Sequence, residues 1–253
     1  MTKLRQVCAA VALAATASGS ALADVSANIG YMSDYIFRGA YQAESVAFGG
    51  LDASTDNGFY LGMWGANLKD GLEYDIYAGY EGGGEDFTWY AGATGYYYTD
   101  DFDSTYLEYN LGISFGFMSL DYALGDYDVG AMTAGIPGAE RTQTYQYVGA
   151  TFAPEVGPYY FIGRTDYKNI DVGGMGPGTG RLPATGADGY WLEIGKSFEL
   201  MEDLELNIAA LFSGDVPQST STTPSTIQLA PSSAADSEYA LTFTLTKNIS
   251  IGD

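Results

Sequence analysis

Between Ser104 and Gly116 the chain divides into two sets of residues when read at every second position. Thr105, Leu107, Tyr109, Leu111, Ile113 and Phe115 form one set, and Tyr106, Glu108, Asn110, Gly112 and Ser114 form the other. A strand sends successive side chains to opposite faces, so this stretch predicts one apolar face and one small, polar, acidic face. That is a strand lying between oil and water. A soluble sandwich with one wetted face carries the same pattern, so the rest of the chain must say which solvent lies outside.

Composition supports many strands. Gly (34) and Tyr (22) are abundant while charged residues make up only 17%, which leaves little material for long exposed helices. Past the N-terminus no run of about 20 apolar residues offers a membrane-spanning helix, and mean hydropathy is near zero at -0.05. Residues 1–23 read as a cleaved signal peptide: Lys3 and Arg5, an apolar run from Val7 to Ala17, then the small-x-small pattern Ala21-Leu22-Ala23. The expected mature domain is 24–253. The single cysteine, Cys8, falls in the segment removed, so no thiol or disulfide chemistry is expected. Cleavage takes the formal charge from -22 to -24, which repels nucleic acid.

Taken in order, Val25, Ala27, Ile29 and Tyr31 alternate with Ser26, Asn28, Gly30 and Met32 as a first strand, followed by Ser33 to Gly39 and a polar connection to Ser45. A second strand, Val46 to Ser54, turns at Asp56-Asn57-Gly58, a strong hairpin signal. The facing of Phe59 to Asn67 stays open, because Gly62 and Gly65 let either parity carry apolar groups. Leu72 to Glu81 restores the two-faced pattern.

These residues carry a family resemblance. Ser26-Ala27-Asn28, Ser33-Asp34-Tyr35 with Phe37-Arg38-Gly39, Gly58-Phe59-Tyr60 with Gly62, Trp64 and Asn67, and Asp75 with Tyr77-Ala78-Gly79-Tyr80 resemble the opening of the TorF porin family. The resemblance is specific over roughly the first third and implies an outer-membrane β-barrel of Gram-negative bacteria with a channel role. Such chains usually close on a strand ending in an aromatic residue, whereas this one ends Ile249-Ser250-Ile251-Gly252-Asp253, a departure that bears on the assembly signal.

The remaining alternations bring the count to about twelve strands, an even number, as an antiparallel up-and-down transmembrane barrel requires. The three longest connections, Gly125 to about Arg141, Tyr167 to Asp188 and Gly214 to Asp236, all share one parity. Short turns hold the other. A sandwich has no reason to sort its loops this way; a barrel with both termini in the periplasm does. Aromatics fall at apolar-facing strand ends in two expected girdles, Tyr80, Phe87, Phe115, Phe152, Tyr159 and Phe198 at one end, Tyr97, Tyr190, Phe212 and Tyr239 at the other.

Little catalytic chemistry is available. There is no His, so the usual hydrolytic base and the usual zinc ligand are both missing from the sequence. Glu73 and Asp75 share a face and are formally a carboxylate pair, but a solvated wall is the commoner use of such a pair. Acidic clusters at Asp100, Asp101 and Asp103, and at Asp126 and Asp128, suit a charged rim better than a Ca²⁺ site. No cofactor is expected.

The sequence therefore predicts an outer-membrane barrel passing small hydrophilic solutes, cationic or neutral. The alternative is a non-conducting barrel filled by its own side chains, which Tyr77, Tyr90, Tyr96, Tyr106, Tyr145, Tyr147 and Trp191 on the polar face would favour. Expected partners are membrane lipid, lipopolysaccharide and the barrel-assembly machinery. Glu73, Asp75, Glu81, Glu108, Asp121, Glu193 and Glu205 are expected to line the lumen with Arg164 as the clearest inward cation, and Asp34 and Arg38 to shape its mouth. Glu108 is expected mid-strand, far from either rim.

Overall fold

The computed structural model describes residues 24–100, 103, 105–128, 142–167, 170–171, 181–182, 189–214 and 238–251. The expected signal segment, Asp101 and the side chain of Asp128 lie outside what is described. Among these residues fourteen strands follow in order: β1 Asp24–Phe37, β2 Ala40–Ser54, β3 Phe59–Asn67, β4 Leu72–Gly83, β5 Phe87–Tyr98, β6 Tyr106–Phe115, β7 Met118–Asp128, β8 Thr142–Phe152, β9 Tyr159–Tyr167, β10 Ile170–Asp171, β11 Arg181–Leu182, β12 Gly189–Met201, β13 Leu204–Gly214 and β14 Glu238–Ser250. Twelve of them close into one antiparallel barrel, β1 pairing with β14; β10 and β11 form a separate two-stranded hairpin. Closure leaves no free sheet edge around most of the wall, which is the condition for crossing a bilayer with strands.

Burial follows the two-residue period and runs opposite to that of a water-soluble protein. In β6, Leu107, Tyr109, Leu111 and Phe115 stand outward at 45% exposure or more, while Glu108 on the inner face is fully buried. The same division settles β3: Phe59 and Met63 face outward, and Tyr60, Gly62, Trp64 and Ala66 face in. The outward aromatics gather at strand ends, with Phe87 against Phe115, Phe152 against Tyr160 and Phe212 against Tyr239. Tyr159 is a correction to the expected girdle. It shares the inward parity of β9 with Gly163 and Thr165, and its hydroxyl donates to Glu193 at 2.5 Å; Tyr160 takes the outward place.

Inside, the wall is built on pairs of an aromatic ring and a glycine. Tyr60 pairs with Gly79, Tyr90 with Gly112, Tyr145 with Gly125, Trp191 with Gly163 and Tyr159 with Gly195, each directly across neighbouring strands. A Cβ on any of these glycines would meet the partner's aromatic side chain at 2.0 to 2.4 Å. The absent side chain is what lets the ring lie along the wall, and the ring covers backbone that glycine leaves bare.

One part of the barrel departs from the cylinder. The polar connection expected before Ser45 is instead strand: β1 and β2 continue as a ribbon to a two-residue turn at Arg38 and Gly39, whose φ values of 50° and 82° fit a type I′ hairpin. The ribbon leaves the wall below that turn. β14 stays paired with β1 only as far as Thr244 opposite Met32, β3 stays paired with β2 only from Phe48, and a bulge falls between Tyr35 and Ile36 with Ser45 left-handed at φ 58°. The extra residue of the bulge, Gln42, and the left-handed Ser45 both lie on β2, where they sharpen the local twist and re-aim the ribbon. It bends inward, where Tyr35, Ala43 and Val46 pack with Ala66 and Leu68.

Candidate functional site in the barrel interior

The ribbon carries Arg38 to the opposite wall. Its guanidinium donates two hydrogen bonds to Glu108 on β6, Nη1 to Oε1 and Nη2 to Oε2, the latter at 2.9 Å. A planar fork matched to a carboxylate is the strong form of this pair. Arg38 also lies over Tyr147 at 4.0 Å and over Phe37 at 4.8 Å from the ring centroids. Glu108 takes further hydrogen bonds from Tyr145 (2.6 Å), Tyr96 (3.0 Å) and Asn110 (3.0 Å). Asp34, expected beside Arg38 at the mouth, is not its partner.

The expected interior residues divide into groups. Glu73, Asp75 and Glu108 surround the ribbon and are all buried. Glu73 accepts from Tyr35 at 3.0 Å and Tyr98 at 3.5 Å through Oε1, whereas its Oε2 and the Oδ1 of Asp75 are buried without a hydrogen-bond partner. Asp121 accepts from Tyr90 at 2.9 Å lower in the barrel, and Glu193 from Tyr159. Glu81 and Glu205 face in near the short-turn end, opposite Tyr90 and Thr246 respectively. Asp52, which the sequence reading missed, joins them by accepting from Tyr77 at 3.4 Å and Asn28 at 3.5 Å; its position two residues past Gly50 on an alternating strand was the available signal.

Two positions differ from expectation. Arg164 is on the outward parity of β9 with Tyr160 and Ile162, flanked by Val148 and Tyr190, and pairs with Asp166 at 2.5 Å. Gly163 and Thr165 hold the inner face of that strand, so no inward position is left for it. Glu108 is the third residue of β6, close to the rim where β5 and β6 are connected, and not mid-strand. Among the described side chains, Arg38 is then the interior cation, and Glu108 already neutralises it.

A closed twelve-stranded barrel with an apolar outer belt and an acidic, tyrosine-rich interior is the class of protein that fold and site define. A family model described as "Bacterial protein of unknown function (Gcw_chp)" matches residues 14–125, less than half of the chain. The residues that resemble the TorF porin family lie inside that span, but the family matched is one of unknown function. No curated protein matches the chain. Among solved structures, the chain is similar to the outer membrane protein OprD from Pseudomonas aeruginosa at 12% identity and TM-score 0.43, covering 90% of this chain and 66% of that one. Acinetobacter baumannii OccAB2 shares 10% identity at TM-score 0.44, covering 89% and 60%, and a BenF-like porin from Pseudomonas fluorescens shares 12% at 0.39, covering 91% and 64%. The chain thus spans 60% to 66% of the length of these proteins. Overlaps this loose carry no argument about function.

Proposed function

We propose that this chain is an outer-membrane channel for passive movement of small hydrophilic solutes, cationic or neutral, with the β1–β2 ribbon as its constriction. The observation that carries the reading is the inverted wall: an exposed apolar belt outside, carboxylates and phenols inside. Lipid suits the first and water or a polar solute the second. In this reading residues 1–23 are the export signal, both termini face the periplasm, and lipopolysaccharide and the barrel-assembly machinery are the partners. With Arg38 held by Glu108, the carboxylates of Asp52, Glu73, Asp75 and Glu193 have no interior cation among the described side chains. A narrow, low-dielectric lumen focuses their field and enriches mobile cations.

A second reading, a non-conducting barrel, is favoured by the ribbon itself, which packs its turn against Trp191 and Tyr147. Planar-bilayer recording separates the two. The channel reading expects cation-selective openings that grow several-fold when residues 35–43 are replaced by a short Gly-containing turn. A barrel that still migrates as folded but stays silent after that shortening establishes the non-conducting reading.

A further inference from the structure

Where the ribbon leaves the wall it also leaves a seam. β14 is paired with β13 along its length from Glu238 to Lys247, but above Thr244 its other edge is paired with no strand among the described residues. The N–H of Phe243 points to that edge and finds the hydroxyl of Ser33 at 2.9 Å. Antiparallel strands direct alternate residues to alternate neighbours, so the backbone groups of Leu241 and Tyr239 point the same way. Behind the seam is a cavity of about 380 Å³ lined by Asp34, Ile36, Gly39 and Tyr41 from the ribbon and by Leu211, Ser213, Tyr239, Ala240 and Leu241 from β13 and β14. Its lining takes in both faces of β14: Ala240, which packs inside against the Trp191 cluster, and Tyr239 and Leu241, which are 75% and 59% exposed outside. A cavity that touches both faces of one strand passes that strand's edge.

We propose that this cavity is a binding site, entered from the bilayer through the β1–β14 seam, for a small amphipathic molecule with a cationic amine head and an apolar tail. It rests on the barrel being embedded in a membrane, not on conduction. The volume is at the lower end of small-molecule sites, about 300–1,000 Å³. Ile36, Leu211 and Leu241 supply an apolar slot. Asp34 and Ser213 supply the polar end, and among the described residues Asp34 is the one carboxylate of the lining and no basic side chain joins it. Backbone edges exposed to hydrocarbon are costly unless paired, and an amine donor at the seam would pair with carbonyls directed to that edge.

The test uses the full-length barrel in phosphatidylcholine vesicles with Trp64→Phe and Trp89→Phe, leaving Trp191, whose cluster includes Leu211 and Ala240. Trp191 is 2% exposed, so lipid-dissolved quencher does not reach it from outside. Bromodecylamine should quench it saturably, at a concentration about ten-fold lower than a bromodecanoate needs, the factor one well-placed charge contact supplies. Asp34→Asn should erase the preference for the amine, and Ala240→Phe, which fills the cavity from inside, should abolish saturation. Equal quenching by amine and carboxylate, or quenching untouched by both substitutions, overturns the site. A barrel that is silent in bilayers yet shows the amine preference removes the channel reading and leaves this one standing.

Discussion

The wall from β4 to β8 and the ribbon at the top of β1 and β2 are made of similar residues and do opposite things. Along the wall, every strand is paired on both sides, the two-residue period is unbroken from Leu72 to Phe152 within the strands, and each inward side chain keeps to its own strand's height. Among the described residues the ribbon has one strand partner per strand and no second one above Met32 and Phe48, so wall pairing no longer dictates where its side chains go. Side-chain chemistry takes over. Val46 and Ala43 bury against Leu68, and Arg38 is drawn to Glu108 across the lumen. Pairing fixes the wall; a buried ion pair and a small apolar cluster fix the ribbon.

The ribbon depends most directly on Arg38. Removing one partner of a buried, hydrogen-bonded pair commonly costs about 3–5 kcal/mol, because the other charge is left uncompensated. Arg38→Met should therefore release the ribbon while the barrel persists, seen as protease cleavage between residues 33 and 45 and as a larger single-channel conductance. Arg38→Met with Glu108→Gln should recover much of the loss of ribbon order, since no lone charge remains. If the double variant is cleaved as fast as the single one, the ion pair does not hold the ribbon.

The wall answers to a different perturbation. Leu111 is outward between Ala91 and Tyr122, where a charge in hydrocarbon costs about 2 to 4 kcal/mol. Leu111→Arg should lower refolding yield in lipid vesicles far more than Asn110→Arg, whose side chain enters the interior beside Glu108. Equal yields would mean that the apolar belt does not face lipid.

Selectivity should move least. Reversal potentials across a salt gradient should report cation preference, weakened by Asp121→Asn and weakened further by Glu108→Gln, which strips the neutralising partner from Arg38. The preference should fade as the Debye length shrinks from about 30 Å at 0.01 M to about 3 Å at 1 M. An anion-selective wild type rejects the electrostatic argument and leaves the barrel intact.

The two regions were not equally legible in the sequence. Alternation gave the number of barrel strands, the sorting of loop lengths and the inner face of β4 through β8, because two solvents impose the pattern directly. It failed at the ribbon, since Tyr35 to Ala43 is buried or half-buried at every position and has no two-solvent period to display. It stayed open at β3, where Gly62 and Gly65 hide the parity. It failed at β9 because Tyr159 and Tyr160 are adjacent tyrosines, and either suits a girdle; that choice also misplaced Arg164. The Arg38–Glu108 pair joins residues 70 positions apart, and no local pattern announces it.

The ring-and-glycine pairs have a consequence for how substitutions should read out. In most proteins an aromatic at a channel wall is taken as the obstacle and a glycine as empty space. Here the glycine is a berth. Tyr145 lies against the wall because Gly125 has no Cβ to push it off, and Gly112 does the same for Tyr90. Adding one methyl group at either glycine would turn a ring moored along the wall into a ring standing across the bore, so the smallest residues in this interior govern how far its largest ones reach.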